Sequence, residues 1–325
     1  MILKMFNIWY FFWILVSVGS CIGLYYLLRT KSEKTQKIVL WSILAFALLL
    51  HFLKLFIPPY STTVSVKYSE SWFVNICGAN IFLFPIIFLT KNKYLKDYMF
   101  YMGVISGILT ILIPIEAVQK VSQAEELLDI IRFYIHHTII WIVPLNMVLF
   151  RLHTIDWRRV WCVPACLLGV MLFIMVNQVL QSELGFIPLR NNDLLGIGYK
   201  NSSLIWGPGE EGLAKIFTWA CPDVFKTIPV GEMAGQPKYW PWFWLICPLF
   251  IILTPICFAI SLIFDFVGFK LNMKWLFERI GNKFAKKQLS DEEYEELYGN
   301  IPEKYRPKRK VKKVESKNTT NYTEL

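Results

Sequence analysis

The chain has 325 residues, 55% of them hydrophobic, 16% aromatic and only 18% charged, with a mean hydropathy of +0.43. That leaves too little polar surface to cover a soluble core of this size, which excludes a water-soluble domain and implies a lipid-embedded one. The formal net charge of +10 would suggest nucleic acid in a soluble protein. Here Lys and Arg sit between apolar runs and in the last segment, where membrane topology accounts for them, so no nucleic-acid partner is expected.

Apolar runs recur at residues 7–28, 38–58, 72–90, 98–118, 130–149, 160–180 and 241–267, and each is long enough to cross a bilayer. The expected fold is an all-α polytopic membrane protein, a bundle of seven transmembrane helices over residues 1–267 with a cytoplasmic tail over 268–325. The first run lacks a small-residue cleavage motif and is followed by Arg29 and Lys31, so it reads as a retained span and not as a signal peptide. The basic connections are Arg29 to Lys37, Lys91 to Asp97 and Arg151 to Arg159, whereas the alternate ones carry few cations. Lys and Arg are retained in the cytoplasm, which predicts a multi-pass protein of the cell membrane with its N-terminus outside.

Between the sixth and seventh runs lies an outer loop, 181–240, far longer than an ordinary connection. Its Gly, Pro and Trp content suits turns and a shallow hairpin or re-entrant stretch. It reads either as a lid over an outer cavity or as an inert loop. In the tail, Leu276, Ile280 and Phe284 recur at helical spacing among Lys274, Arg279, Lys283, Lys286 and Lys287, the pattern of a helix lying on the inner leaflet. An acidic patch from Asp291 to Glu296 follows, then the polybasic run Lys304 to Lys313, so anionic inner-leaflet lipid is the expected partner of the tail. The oligomeric state is not legible.

Polar groups inside spans are costly in lipid and mark sites or cavities. With the topology above, His51 and Lys54 fall near the outer end of the second span, Asn75, Cys77 and Asn80 in the first turns of the third, and Glu116 at the end of the fourth. His136 and His137 lie at the second turn of the fifth, and Asn177 and Gln178 near the end of the sixth. At 1.5 Å rise per residue, His51, Cys77 and His137 share a depth on the order of 10 Å below the outer surface. Five spans thus contribute to one outward-facing polar pocket, or each group makes its own interhelical hydrogen bond. The rest of the membrane interior reads as nearly all apolar apart from Asn146. His136 and His137 diverge by about 100° on a helix, which makes them poor joint ligands, and neither a metal nor another cofactor is expected. Cys162 and Cys166 read as packing residues, and Gly103-x-x-x-Gly107 as a close helix contact. On the third span Cys77 and Asn80 share a face. A thiol there needs a base, for which His137 is the candidate, and a donor for the carbonyl oxygen, for which Asn80 or Asn177 would serve.

The segment Trp72-Phe73-Val74-Asn75-Ile76-Cys77-Gly78-Ala79-Asn80-Ile81-Phe82-Leu83 resembles the L-P-L-H-L-C-x-x-x-x-x-L signature of the YwaF/TMEM164-like integral membrane proteins. Phe133-Tyr134-Ile135-His136-His137-Thr138 is similar to that family's F-Y-x-x-H-[GT] helix. Asn75 stands where the pattern has His. The resemblance covers roughly residues 5–267 and implies a seven-span fold. A eukaryotic branch moves fatty acyl chains between lipids, which implies membrane lipids as partners and matches its Cys and His to Cys77 and His137. Two functions follow as expectations. One is a Cys-His membrane acyltransferase. The other is a small-solute permease or binding protein using the same pocket through His51, Lys54, Asn75, Asn80, Glu116, His136 and Asn177.

Overall fold

A computed structural model describes residues 3–58, 60–62, 75–114, 124–184, 203–208, 214–284, 291–300, 302 and 306. The described elements are α1 (Ile8–Leu28), α2 (Glu33–Leu53), α3 (Ile76–Leu89), α4 (Lys93–Leu112), α5 (Ala124–Leu149), α6 (Cys162–Glu183), the short α7 (Ala214–Trp219), α8 (Ile246–Phe284) and α9 (Asp291–Tyr298). Among the described residues six helices are long and apolar enough to cross a membrane. The seventh, α3, has 14 residues, roughly 21 Å of helix. Trp72 to Val74, the expected start of that span, lie outside the described residues.

Helix boundaries depart from the apolar runs for local reasons. Ser32 accepts a hydrogen bond from Thr35 N, and Asn92 accepts from Tyr94 N and Leu95 N. These caps start α2 and α4 in their polar first turns, five residues ahead of the apolar runs. At the other end α4 stops at Leu112 instead of 118, because Ile113 precedes Pro114 and leaves helical geometry at φ −128°. Likewise α2 ends at Leu53, and one 3₁₀ turn, Lys54–Phe56, leads to an extended Ile57 before Pro58.

The described residues divide into two compact units, 1–264 and 265–325. In the first, α5 is the central helix: 67% of its span is buried, against 17% for α1. The most extensive helix pair is α4 with α5. A Cβ on Gly103 would stand 2.5 Å from Ile140 O, and one on Gly107 2.7 Å from the Trp141 side chain. The two glycines therefore set the approach of these helices, as the small-residue spacing implies. We call the end at which α1 starts the proximal end, and the other the distal end; Tyr10 OH donates to Leu112 O at the proximal end, 2.9 Å.

Part of the long loop is ordered against the bundle. Trp244 is fully buried and its indole donates to Leu204 O at 2.9 Å, while Trp242 donates to Leu168 O of α6 at 2.8 Å. Thr227 and Pro237 form an isolated antiparallel bridge, a shallow hairpin stabilised by Lys238 N to Lys226 O, 3.0 Å. In the second unit, the helical segment after Asp265 exposes Phe266, Val267, Phe277 and Ile280. Its Arg279 lies over the Trp275 ring, 5.1 Å from the centroid. The acidic patch forms α9, whose Tyr298 hydroxyl donates to Glu278. Apart from Arg306, the polybasic run lies outside the described residues.

Candidate functional site

Two hydrogen-bonded or packed contacts fix the relative heights of the helices. Trp41 Nε1 of α2 donates to Pro85 O of α3, 3.2 Å. These helices are antiparallel, so ten residues toward the proximal end on each bring His51 level with Asn75. A Cβ on Gly103 would meet both Phe84 of α3 and Ile140 O of α5. Counting from there, Cys77 and His137 lie within about one turn in height, ~6 Å. His51 and His136 are adjacent, with ring centroids 6.4 Å apart.

Cys77 occupies the second position of α3. Asn75 is the N-cap, its Oδ1 accepting from Gly78 N at 2.6 Å; its side-chain oxygen therefore serves the helix start. The Cys77 side chain is half-buried against the core. One turn further, Asn80 is wholly buried, and its Oδ1 accepts from the Tyr98 hydroxyl of α4 at 2.7 Å. Its Nδ2 has no hydrogen-bond partner among the described residues. A buried amide donor without an acceptor forfeits about 1–3 kcal/mol, and such a group in a native fold points to something it meets only when occupied. None of the seven cysteines is in a disulfide.

The neighbouring histidines have different partners. His137 Nδ1 lies 2.8 Å from Phe133 O, and the Phe133 ring covers the imidazole at 4.3 Å. A carbonyl only accepts, so Nδ1 carries the hydrogen and Nε2 is the basic nitrogen. Among the described residues no hydrogen bond joins His137 to Cys77. His136 turns instead toward α2, with Arg132 Nη1 donating to its Nδ1 at 3.3 Å. This leaves the hydrogen on His136 Nε2, which is buried and has no acceptor among the described residues.

Arg132 is the centre of a cluster that the sequence reading overlooked. It donates from Nε (2.8 Å) and Nη2 (2.5 Å) to Asp129 Oδ1, and from Nη2 to the Tyr60 hydroxyl at 3.1 Å. Tyr60 in turn donates to Asp129 Oδ1, 3.1 Å, and Lys54 stands 5.0 Å from the Tyr60 ring centroid. Asp129, Arg132 and His136 share one face of α5 at i, i+3 and i+7. The signal was available: Arg132 falls inside the predicted span 130–149, where an ionisable residue marks a site. Beside this cluster a cavity of about 180 Å³ lies between the proximal ends of α2 and α5, with Leu50, Leu53, Ile131 and Ile135 as its apolar walls. Asn177 of α6 is half-buried, its Nδ2 without a partner among the described residues. Glu116 lies outside the described residues.

At the distal end a second polar cluster forms within the connections 91–97 and 151–159, outside the expected spans. Asp97, buried in the first turns of α4, takes His153 Nε2 at 2.6 Å and Arg159 Nε at 2.5 Å on its two oxygens. Arg159 Nη2 also donates to Thr154 O, 2.6 Å. Asp156 accepts from Arg158 at 2.8 Å. Partial burial works to raise the Asp156 carboxyl, but the Arg158 hydrogen bonds and the charges of Arg158 and Arg159 outweigh it and hold it below the usual carboxylate range.

An all-helical bundle with six long apolar helices, a shorter seventh and polar clusters at both ends is a polytopic membrane protein. The sequence model of the TMEM164 family matches residues 4–261, and the chain belongs to that family. No curated protein and no solved structure matches it.

Proposed function

We propose that this chain is a membrane acyltransferase that carries a fatty acyl group from one lipid to another on Cys77, at the bundle end that faces outside. The orientation follows from the basic connections, all three of which join helices at the distal end. His137 Nε2 takes the Cys77 thiol proton, and the thiolate attacks the ester carbonyl carbon of the donor lipid. The C–O bond of the tetrahedral intermediate breaks, and His137 returns the proton to the departing lipid alkoxide. A hydroxyl of the second lipid, deprotonated by His137, then attacks the thioester, and the acyl group leaves on the new ester while Cys77 is restored. Negative charge develops on the carbonyl oxygen in both steps and needs a donor already in place.

The observation that carries this reading is the Asn80 amide: buried, fixed through its oxygen by Tyr98, and with its Nδ2 unpartnered among the described residues one turn from Cys77. Family membership and the placement of Cys77 and His137 within about one turn in height support it. The test uses full-length protein in vesicles with a phospholipid donor bearing an isotopically labelled acyl chain and a lysophospholipid acceptor, read by mass spectrometry. Label should pass to the acceptor, and Cys77→Ser should reduce the rate at least 100-fold with unchanged thermal unfolding. Transfer at the normal rate in Cys77→Ser, or none by the natural sequence, would refute the proposal.

A further inference from the structure

Acyl transfer as proposed uses Cys77, His137 and Asn80 but not His136, which is buried at the same end of the bundle. His136 and Asn80 are built alike. Each is fixed through its acceptor atom: Asn80 Oδ1 takes the Tyr98 hydroxyl at 2.7 Å, and His136 Nδ1 takes Arg132 Nη1 at 3.3 Å. Each then presents a buried N–H, Asn80 Nδ2 or His136 Nε2, that has no acceptor among the described residues. The Arg132 guanidinium is already engaged by Asp129 and Tyr60, which makes it an anchor for the imidazole. A guanidinium only donates and a neutral imidazole carries one hydrogen, so the anchor fixes that hydrogen on Nε2.

Helix register brings the two donors to one height. α3 and α5 both run from the proximal to the distal end, and a Cβ on Gly103 would touch Phe84 of one and Ile140 O of the other. Four residues back toward the proximal end stand Asn80 on α3 and His136 on α5, and Cys77 is three residues from Asn80, ~4.5 Å of rise. α2, α3 and α5 pack pairwise against one another, with the His136 ring centroid 6.4 Å from that of His51 on α2. Arg132 sits one turn nearer the proximal end and approaches Nδ1, so Nε2, on the far side of the ring, points away from the Arg132 cluster and further into the bundle.

The adjacent histidine has the opposite tautomer. His137 Nδ1 gives its hydrogen to Phe133 O and leaves a basic Nε2, whereas His136 carries its hydrogen on Nε2. Consecutive imidazoles thus supply both functions that addition to a carbonyl needs, a base for the attacking thiol and a donor for the developing oxyanion. An oxygen that becomes an alkoxide accepts from more than one donor, and Asn80 supplies one.

We propose that His136 is the second donor to the carbonyl oxygen: its Nε2–H and the Asn80 Nδ2–H hold the oxyanion while the acyl group passes to and from Cys77. The inference rests on the acyl-transfer function proposed above. No proton leaves His136 in either step, which separates its role from that of His137. Arg132 is a positioning residue that acts through His136 by keeping the donor tautomer and its aim.

The test measures two rates for full-length protein in vesicles. One is transfer of an isotopically labelled acyl chain from a phospholipid donor to a lysophospholipid. The other is alkylation by iodoacetamide, read on the Cys77 peptide by mass spectrometry. Alkylation displaces iodide at a saturated carbon and forms no oxyanion, so it reports the thiol and its base alone. His136→Phe, which keeps an aromatic ring and removes the donor, should slow transfer about 100-fold and leave alkylation within about twofold. His136→Gln, whose amide has an acceptor for Arg132 and a donor beyond it, should keep transfer within about tenfold of the natural sequence. If thermal unfolding shows that His136→Phe does not fold, His136→Met carries the same expectation. Normal transfer in the donorless variant, an equal loss in its alkylation, or an equal loss of transfer in His136→Gln would overturn the inference. No transfer by the natural sequence, or undiminished transfer in Cys77→Ser, would instead overturn the acyl-transfer function and the inference with it.

Discussion

The two ends of the bundle use the same residue types to opposite effect. At the distal end both oxygens of Asp97 are taken, one by His153 and one by Arg159, whose guanidinium also ties down Thr154 O. That cluster is closed on itself. At the proximal end Asp129 holds Arg132, while His136 Nε2 and Asn80 Nδ2 are buried without partners among the described residues, and a cavity lies beside Arg132. A closed buried ion pair acts as a clamp between elements, whereas buried donors awaiting an acceptor are a cost that a binding function explains.

The contrast can be broken most severely at the closed end. Asp97→Ala should cost about 3–5 kcal/mol, because it strands Arg159 and His153 at a buried position; thermal unfolding in detergent checks this, and a small loss would mean that the clamp is not a clamp. Next, Gly107→Val should destabilise by about 1–3 kcal/mol by forcing α4 from α5 where Trp141 leaves no room. Tyr98→Phe is a smaller change. It removes the hydrogen bond that fixes Asn80 and should cost about 1 kcal/mol of stability, while slowing acyl transfer by more than the lost stability explains, since the amide would no longer be held in place. The smallest effect is that of pH. Asp156 is held low in the folded protein, so it contributes stability above its unfolded value of ~4 that is lost as pH falls through the lower folded value. Unfolding temperature should therefore be insensitive to Asp156 near pH 7 to 5 and decline below that, and Asp156→Asn should flatten part of the decline.

Much of the fold was legible because the apolar runs are long and unambiguous. What the runs could not convey were their ends, which obey local chemistry: Asn92 and Ser32 caps draw helices into polar sequence, and Pro114 and Pro58 stop them early. Helical rise alone brings His51, Cys77 and His137 to within about a turn or two of one another along the bundle. Partner choice was not legible. Nothing in the sequence says that His136 turns to Arg132 while His137 turns to Phe133 O, or that Asp97 and His153, 56 residues apart in the chain, meet. Asn75 reads as a pocket residue because it falls in the first turns of the third span; a polar residue before an apolar run is also the signature of an N-cap, and its oxygen accepts from Gly78 N in that way.

Acyl transfer as proposed requires Cys77 to carry the acyl group. Its most direct test is to incubate the full-length protein in vesicles with a phospholipid bearing an alkyne-tagged acyl chain, quench in acid, and map the modified peptide by mass spectrometry. The expected result is an acyl adduct on the peptide containing Cys77, removed by neutral hydroxylamine as a thioester is, and absent from Cys77→Ala. An adduct that persists in Cys77→Ala, or transfer of the tagged chain between lipids with no adduct at Cys77 at any quench time, would contradict it.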